Sequence, residues 1–413
     1  MTTLGGSNPN PMVSRRVIIL GSTGSIGTST LDVLRHFRES RFATLDLVGL
    51  ATGRNASKLA EQAAEFGVQH VALADEAGAT ELGSFKHVYA GPNAAVELID
   101  AVARPGDVVV AAVVGSAGIP AVLAAIERGC DIALANKETL VAAGELVMAA
   151  LAESDVRIHP VDSEHSAIAQ CLRAGRSTQE VRRLVLTASG GPFRTWSSQR
   201  IQNASVEEAL NHPTWSMGPK ITVDSASLMN KALEVIEAHW LFDLDGDQID
   251  VIIHPQSTVH SFVEFIDGSV IAQLGPPDMK GPIQYALTGP TRLPGSSESL
   301  DWTALTSMHF EQVDSTRFPS IDLAYEVIEQ GGTAGAILNG ANEAAVEAFL
   351  AGRIPFGRIA EIVGGAVATL PIQPVRKLSD ILEADRASRQ YVMERLAARG
   401  DTTDEPATTA ADA

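Results

Sequence analysis

The sequence predicts an α/β protein in three parts: a doubly wound parallel sheet at the N-terminus, an α+β middle domain and a C-terminal α-helical bundle. Three observations predict it. Continuous apolar runs alternate with helical spacing as far as residue 135, an Asp-Gly pair separates two strand-like runs near residue 267, and apolar faces of helical period recur from residue 321.

Residues 17–20 form a short apolar run ending at Gly21, residues 25–37 carry helical spacing, and residues 45–50 read as a second buried strand. A helix at 56–66, a strand at 68–73 and a helix at 94–102 follow. The Val/Ala run 107–113, a helix at 119–128 and a strand at 131–135 complete the set. Strands that are apolar throughout, set between amphipathic helices, belong to a parallel sheet covered on both faces. Residues 1–160 are therefore expected to form a Rossmann-like nucleotide-binding domain.

The pattern changes near His159. Residues 181–188, 251–253, 260–266 and 269–274 read as strands, the last two joined by Asp267-Gly268, a strong hairpin signal. Mixed with helices, they predict an α+β domain over residues 161–290. The stretch 275–297 is rich in Gly, Pro, Ser and Thr and reads as a connection, with residues 291–319 as linker. Helical spacing fills residues 320–390, with Ile321, Leu323, Ala324 and Val327 on one apolar face and Ala341, Ala345, Val346 and Phe349 on another. The segment 391–413 ends polar and rich in Thr, Ala and Asp, and is expected to be a disordered tail.

At 413 residues the chain is too long for one ordinary core. Its net charge of -19 argues against a nucleic-acid partner, because a phosphate backbone needs a basic face. A small anion needs only a local cluster of donors. The two cysteines, Cys130 and Cys171, lack metal-like or redox-like spacing, so a reducing compartment is the simpler reading. Residues 1–16 lack the apolar run of a signal peptide. Residues 108–126 are largely apolar, but Gly115, Ser116, Gly118 and Pro120 interrupt them, which predicts strand, loop and helix and no membrane span. A cytoplasmic protein is expected.

Gly21-Ser22-Thr23-Gly24-Ser25-Ile26-Gly27 lies between a strand and a helix, where glycines permit a tight turn and bring backbone N–H groups close to a pyrophosphate. The spacing departs from the commoner G-x-G-x-x-G, and an isolated motif of this kind is as often an empty turn. The flanking strand and helix favour a dinucleotide. After the second strand the chain reads Ala51-Thr52-Gly53-Arg54-Asn55, with no acid for a ribose hydroxyl and with a cation for a 2′-phosphate. NADPH is the expected cofactor.

Asp162 and Glu164 in Pro160-Val161-Asp162-Ser163-Glu164-His165 are expected to project together from an extended segment and to suit a hard ion, Mg²⁺ or Mn²⁺. Farther on, Asp224 or Ser225 is expected to cap a helix on which Asn230, Lys231 and Glu234 share one side. An ordinary solvated helix face would show the same spacing. Ser189-Gly190-Gly191 offers a hydroxyl and backbone donors for an anion. The segment from His212 to Gly218, carrying Trp215 and Met217, reads either as a lid or as a loop anchored by buried side chains.

In order, GSTGSIG, LANKETLV (Leu134 to Val141), PVDSEH, ASGGPF, HPTWSMG, SLMNKALEVIEA and HPQSTVHSFVEF (His254 to Phe265) resemble the 1-deoxy-D-xylulose 5-phosphate reductoisomerase family. The resemblance runs from Gly21 to about Ala387. It implies isomerisation and NADPH-dependent reduction of 1-deoxy-D-xylulose 5-phosphate to 2-C-methyl-D-erythritol 4-phosphate, and makes the α+β part the catalytic domain. It implies Asp162, Glu164 and Glu234 as metal ligands, with Ser189, Ser225, Asn230 and Lys231 on the substrate phosphate and His212 nearby. Ser163 and Lys137 would contact the substrate backbone, Glu164 and Glu234 would reach it through the ion, and Trp215 and Met217 would form a flap. The catalytic set it implies is Lys137, Glu164, His212 and Trp215. Cofactor contacts would be Gly21, Thr23, Gly24, Ser25, Ile26, Gly27, Gly53, Arg54, Asn55, Asn136, Glu138, Met217 and Gly218. The resemblance also implies a homodimer. The competing readings are a two-domain NADP oxidoreductase of homoserine dehydrogenase type, which would not need three carboxylates around one ion, and a non-catalytic NADP-binding sensor.

Overall fold

The computed structural model describes residues 13–215 and 217–398. Strands β1 (Val13–Leu20), β2 (Ala43–Thr52), β3 (His70–Leu73), β4 (His87–Ala90), β5 (Val108–Ala111), β6 (Asp131–Leu134) and β7 (Ile158–Pro160) form one sheet in the order β4-β3-β2-β1-β5-β6-β7. Every neighbouring pair is parallel. Val17 to Leu20 and Val108 to Val110 are fully buried, as strands covered on both faces must be. The strand order reverses between β1 and β5, which opens a crevice at their C-terminal ends.

Two differences from expectation have local causes. β1 starts four residues before the apolar run, because Arg15 and Arg16 continue it through pairs with Asp131 and Asp107. β4 was not expected. Its residues are half-buried at the sheet edge and carry neither an apolar run nor clean alternation.

Strands β8 (Val181–Ala188), β9 (Ile249–Ile253), β10 (Val259–Phe265), β11 (Val270–Leu274) and β12 (Glu311–Gln312) form a second, mixed sheet in the order β11-β10-β8-β9-β12. β8 and β9 are parallel and the other neighbours antiparallel, with Asp267-Gly268 turning β10 into β11. The stretch expected as connection holds a helix, Lys280–Thr288, whose Ile283, Ala286 and Leu287 pack in one core with Leu31 and Leu34 of the Ser25–Ser40 helix. Gly281 and Pro282 hid it. Both lie in its first turn, where a missing N–H breaks no internal bond.

Helices Ser320–Gln330, Ala334–Leu350, Arg358–Thr369 and Leu378–Ala397 follow. The last corrects the expected start of the tail at residue 391: Val392 and Leu396 are buried, and the helix runs on through them. The rest of that tail, residues 399–413, lies outside the described residues.

The Ala334–Leu350 helix presses against the Glu138–Ala152 helix, and the contact tolerates only glycine at 335. A Cβ there would stand 1.9 Å from the Val141 carbonyl oxygen. Gly335→Ala gains at most about 1 kcal/mol of helix propensity. Overpacking against backbone costs about 1–3 kcal/mol, and a carbonyl cannot rotate away as a side chain can. The clash is expected to win, lowering stability by about 1–2 kcal/mol in urea denaturation; equal or higher stability would show that the two helices part easily.

Candidate functional site

The crevice at the strand reversal is built by close backbone approach. Gly21 has φ +87°, and a Cβ on it would lie 2.3 Å from the Ala112 carbonyl oxygen at the end of β5. A Cβ on Gly27 would lie 2.3 Å from the Gly21 carbonyl oxygen, so the helix after β1 abuts the turn. That helix, Ser25–Ser40, is capped by Gly24 with no side-chain bond and has no acid in its first turn. Its leading N–H groups and positive dipole end thus remain available to an anion. From behind, Lys58 Nζ donates to the Thr23 carbonyl at 2.9 Å, and the Thr23 and Thr52 hydroxyls bond each other.

Gly53, Arg54 and Asn55 are exposed just past β2. Arg54 has no ion-pair partner among the described residues, which leaves its guanidinium for a ligand. Asn55 Oδ1 caps the Ala56–Phe66 helix by accepting from the Lys58 N–H at 2.9 Å. Only its amide hydrogens remain for a phosphate.

Across the crevice, Asn136 is 2% exposed and donates Nδ2 hydrogens to the carbonyls of Val113 and Gly115 and to Glu138 Oε2. Asn136 thus braces the loop after β5. Glu138 Oε1 accepts from Lys220 Nζ at 3.1 Å.

Asp162, Glu164 and Glu234 converge, each offering one carboxylate oxygen within 4.8 Å of the others. The local cause differs from the extended segment expected. Asp162 is the N-cap of the Ser163–Cys171 helix, and its Oδ1 accepts from the Glu164 N–H at 3.1 Å. Helix cap and first turn bring the two acids to one side. Glu234 arrives on the Met229–Phe242 helix. Neither Asp224 nor Ser225 caps it: both lie within the preceding helix, Pro219–Ala226, and Leu228 in the left-handed region (φ 56°) separates the two. Asn230, Lys231 and Glu234 do share a face, since Asn230 Nδ2 donates to Glu234 Oε1 at 2.6 Å and Lys231 Nζ bonds Glu234 Oε2.

Two ammonium groups stand among these acids. Lys137 Nζ reaches Asp162 Oδ2 at 3.1 Å, Asn230 Oδ1 at 2.8 Å and Glu234 Oε1 at 3.3 Å. Lys231 Nζ reaches Glu164 Oε1 at 2.9 Å, and the Ser163 hydroxyl bonds Glu164 Oε2. Burial opposes the charge on Lys137, but Asp162, Glu234 and Glu237 outweigh it and hold its pKa well above the usual lysine range. Burial and repulsion by Asp162 push Glu234 up. A raised carboxylate among other carboxylates is a site in want of a cation.

Behind the cluster lies a pair that sequence reasoning missed. His165 Nε2 donates to the Glu234 carbonyl at 2.9 Å, while Nδ1 lies 3.2 Å from Asp162 and 3.3 Å from Glu237. Burial opposes its protonation, yet Glu237 and Asp162 raise it to about 9, and burial pushes Glu237 up to about 7. The signal was spacing: His165 and Glu237 each fall three residues after an assigned acid, one helical turn away.

The hydroxyl side is separate in the chain but adjacent in space. Ser189 Oγ accepts from the Gly191 N–H at 3.2 Å and lies 3.1 Å from His212 Nε2. His212 Nδ1 accepts from the Thr214 and Trp215 N–H groups at 3.1 and 2.9 Å, so its proton sits on Nε2, and burial lowers its pKa. A Cβ on Gly191 would stand 2.6 Å from the Ser225 carbonyl oxygen, so the Ser-Gly-Gly turn lies directly on Ser225. Trp215 and Met217 are half-buried, Gly218 caps the next helix, and Ser216 lies outside the described residues.

Three family models match in succession: 1-deoxy-D-xylulose 5-phosphate reductoisomerase over residues 17–144, that enzyme's C-terminal domain over 158–242, and the DXP reductoisomerase C-terminal domain over 274–391. A 1-deoxy-D-xylulose 5-phosphate reductoisomerase of Chloroherpeton thalassium is 47% identical over 387 residues, covering 92% of this chain and 98% of its own. One of Anaeromyxobacter dehalogenans is 49% identical over 391 residues, covering 93% and 98%. A solved structure of the enzyme from Zymomonas mobilis in complex with NADPH superposes with TM-score 0.84 at 39% identity, covering 94% of this chain and 99% of that one. A DOX-P reductoisomerase in complex with NADPH, fosmidomycin and magnesium gives TM-score 0.87 at 39% identity, with the same coverage.

Glu234→Gln removes one charge from the cluster and keeps the shape. Calorimetric titration is expected to show Mn²⁺ affinity falling at least about tenfold, since a hard cation binds chiefly through anionic oxygens. Melting should drop modestly, because Lys137 and Lys231 each keep another acid. Lys231→Ala is the control and should not weaken Mn²⁺ binding without substrate. Wild-type Mn²⁺ affinity in Glu234→Gln would remove Glu234 from the ligand set.

Proposed function

The chain belongs to the 1-deoxy-D-xylulose 5-phosphate reductoisomerase family, and on that premise we propose how its residues divide the work. It is an NADP-dependent oxidoreductase that isomerises 1-deoxy-D-xylulose 5-phosphate and reduces it to 2-C-methyl-D-erythritol 4-phosphate with a divalent metal, in the non-mevalonate isoprenoid pathway. One observation carries the reading: three carboxylates from segments some seventy residues apart meet within 4.8 Å of one another. They do so beside a glycine-built crevice. A homoserine dehydrogenase-like enzyme or a cofactor sensor has no use for that cluster.

Asp162, Glu164 and Glu234 hold the ion, for which an all-carboxylate donor set suits Mg²⁺ or Mn²⁺. When bound, the ion polarises the substrate carbonyl and acidifies the adjacent hydroxyl, and NADPH supplies hydride. Lys137 and Lys231 offset the negative charge of the acids before the ion arrives. They then stay as donors, Lys137 with Ser163 toward the sugar backbone and Lys231 toward the phosphate. Ser189, Ser225 and Asn230 complete the phosphate seat, joined by His212, whose Nε2–H is the donor its neighbours impose. Trp215 and Met217 cover the site and exclude water from the reacting centre.

Gly21, Thr23, Gly24, Ser25, Ile26 and Gly27 would hold the NADPH pyrophosphate. Gly53, Arg54 and Asn55 would take its 2′-phosphate, and Asn136, Glu138, Met217 and Gly218 its nicotinamide end. No helix among the described residues is long and apolar enough to cross a membrane. The two buried free cysteines support a reducing, cytoplasmic compartment. A homodimer is supported by β11, an edge strand with Val270 and Ile271 exposed next to exposed Ile266.

The decisive experiment follows NADPH absorbance with 1-deoxy-D-xylulose 5-phosphate and Mn²⁺ or Mg²⁺. Oxidation that needs both sugar phosphate and metal is expected, and its absence with folded protein would sink the assignment. Cofactor choice is tested at Arg54, where losing a charge-assisted contact is worth about 1.5–3 kcal/mol. Arg54→Asp should raise the KM for NADPH roughly tenfold or more and leave NADH use unchanged or improved; an unaltered preference would clear Arg54 of that role.

A further inference from the structure

Residues 136, 137 and 138 are consecutive, yet their side chains go to three different places. Lys137 enters the acid cluster. Asn136 braces the carbonyls of Val113 and Gly115 in the loop after β5, and also donates to Glu138 Oε2 at 2.8 Å. Glu138 turns its other oxygen to Lys220 Nζ at 3.1 Å. Lys220 lies 2.9 Å from Asp224 Oδ2, and Asp224 Oδ1 accepts from Asn342 Nδ2 at 2.9 Å on the Ala334–Leu350 helix. An unbroken polar line therefore runs from the crevice loop to the C-terminal helices, with Asn136, Glu138, Asp224 and Asn342 all buried.

Lys220 is the joint on which this line depends. Among the described residues it is the only cation paired with Glu138. Burial opposes ionisation of Glu138, but Lys220, a backbone N–H and Lys137 together outweigh it and hold its pKa below the usual glutamate range. Without Lys220 the buried carboxylate takes up a proton or moves toward water. Either change takes a charged acceptor from the Asn136 amide, leaving Thr139, which donates to Asn136 Oδ1, as its side-chain anchor, and loosens the hold on the Val113 and Gly115 carbonyls. That loop carries Val114, 72% exposed, and follows directly on Ala112, which packs against Gly21.

We propose that Lys220 is a positioning residue for the dinucleotide: by fixing Glu138 and, through it, Asn136, it holds the loop after β5 in register with the Gly21 turn. The inference rests on the crevice taking NADPH. It assigns a role in cofactor binding to a residue outside the crevice and ties that role, through Asp224 and Asn342, to the C-terminal helices.

The test uses the full chain with NADPH and Mn²⁺ as probes, after wild-type turnover has been shown. A wild-type chain that does not reduce the sugar phosphate defeats the functional reading rather than this one. Lys220→Met is expected to raise the Kd and the KM for NADPH roughly tenfold or more. Mn²⁺ affinity and the KM for the sugar phosphate should change less than about threefold, a split that general loosening of the fold would not give. Lys220→Arg, which keeps the charge, should recover most of the affinity. Where Lys220→Met does not fold, Lys220→Gln, which still donates a hydrogen bond, carries the comparison. Glu138→Gln should give a similar loss, and the double variant should be no worse than either single, because both act through one contact. Unchanged NADPH affinity in the Lys220 variants, losses that add, or equal weakening of Mn²⁺ and sugar phosphate would overturn the proposal.

Discussion

Carboxylates cannot crowd into a buried pocket unless positive charge stands among them, and much of this molecule is arranged around that constraint. Asp162, Glu164, Glu234 and Glu237 face Lys137, Lys231 and His165, four acids against three cations. The imbalance shows as strain on the acids least well served: burial raises both Glu234 and Glu237. A divalent ion would tip the balance to a positive excess, which is what a substrate carrying a phosphate can satisfy. A divalent ion held there and a phosphorylated substrate would therefore complement each other in charge.

The same constraint explains why the site needs the whole fold. The acids come from separate elements, which lets them converge on one point from different directions. One pair therefore arrives at the start of a helix following the parallel sheet, and the third on a helix packed between that sheet's last long helix and the C-terminal bundle. Rigid packing of those helices, including the glycine contact at 335, keeps their separation small.

The parallel sheet was legible because its central strands carry continuous apolar runs, and residues 56–66, 94–102 and 181–188 matched the elements found. What escaped notice lacked a periodic signal. β4 is a half-buried edge, and the Lys280–Thr288 helix begins with residues that usually break one. At the site, motif residues could be named from sequence but not their neighbours. Lys220 and Asp224 are one helical turn apart, but they meet Glu138 and Asn342 only through tertiary packing, and no spacing along the chain foretells an ion pair between positions 138 and 220. The backbone reason for the Asp162–Glu164 pairing was also hidden, since a helix cap and an extended strand can both turn residues i and i+2 the same way.

The reach of Lys137 has a consequence for the order in which the molecule is made. Its ammonium bonds Asp162, Asn230 and Glu234, at separations of 25, 93 and 97 residues. During synthesis the sheet can close as soon as β7 has emerged, but at that stage Lys137 has only the first of its three partners. The long loop must be closed before the remaining contacts form, an entropic cost met late and only by docking the Met229–Phe242 helix. The glycine turn after β1 can thus form well before the ion site, while the brace on the loop after β5 waits for Lys220 and Asn342 to be added.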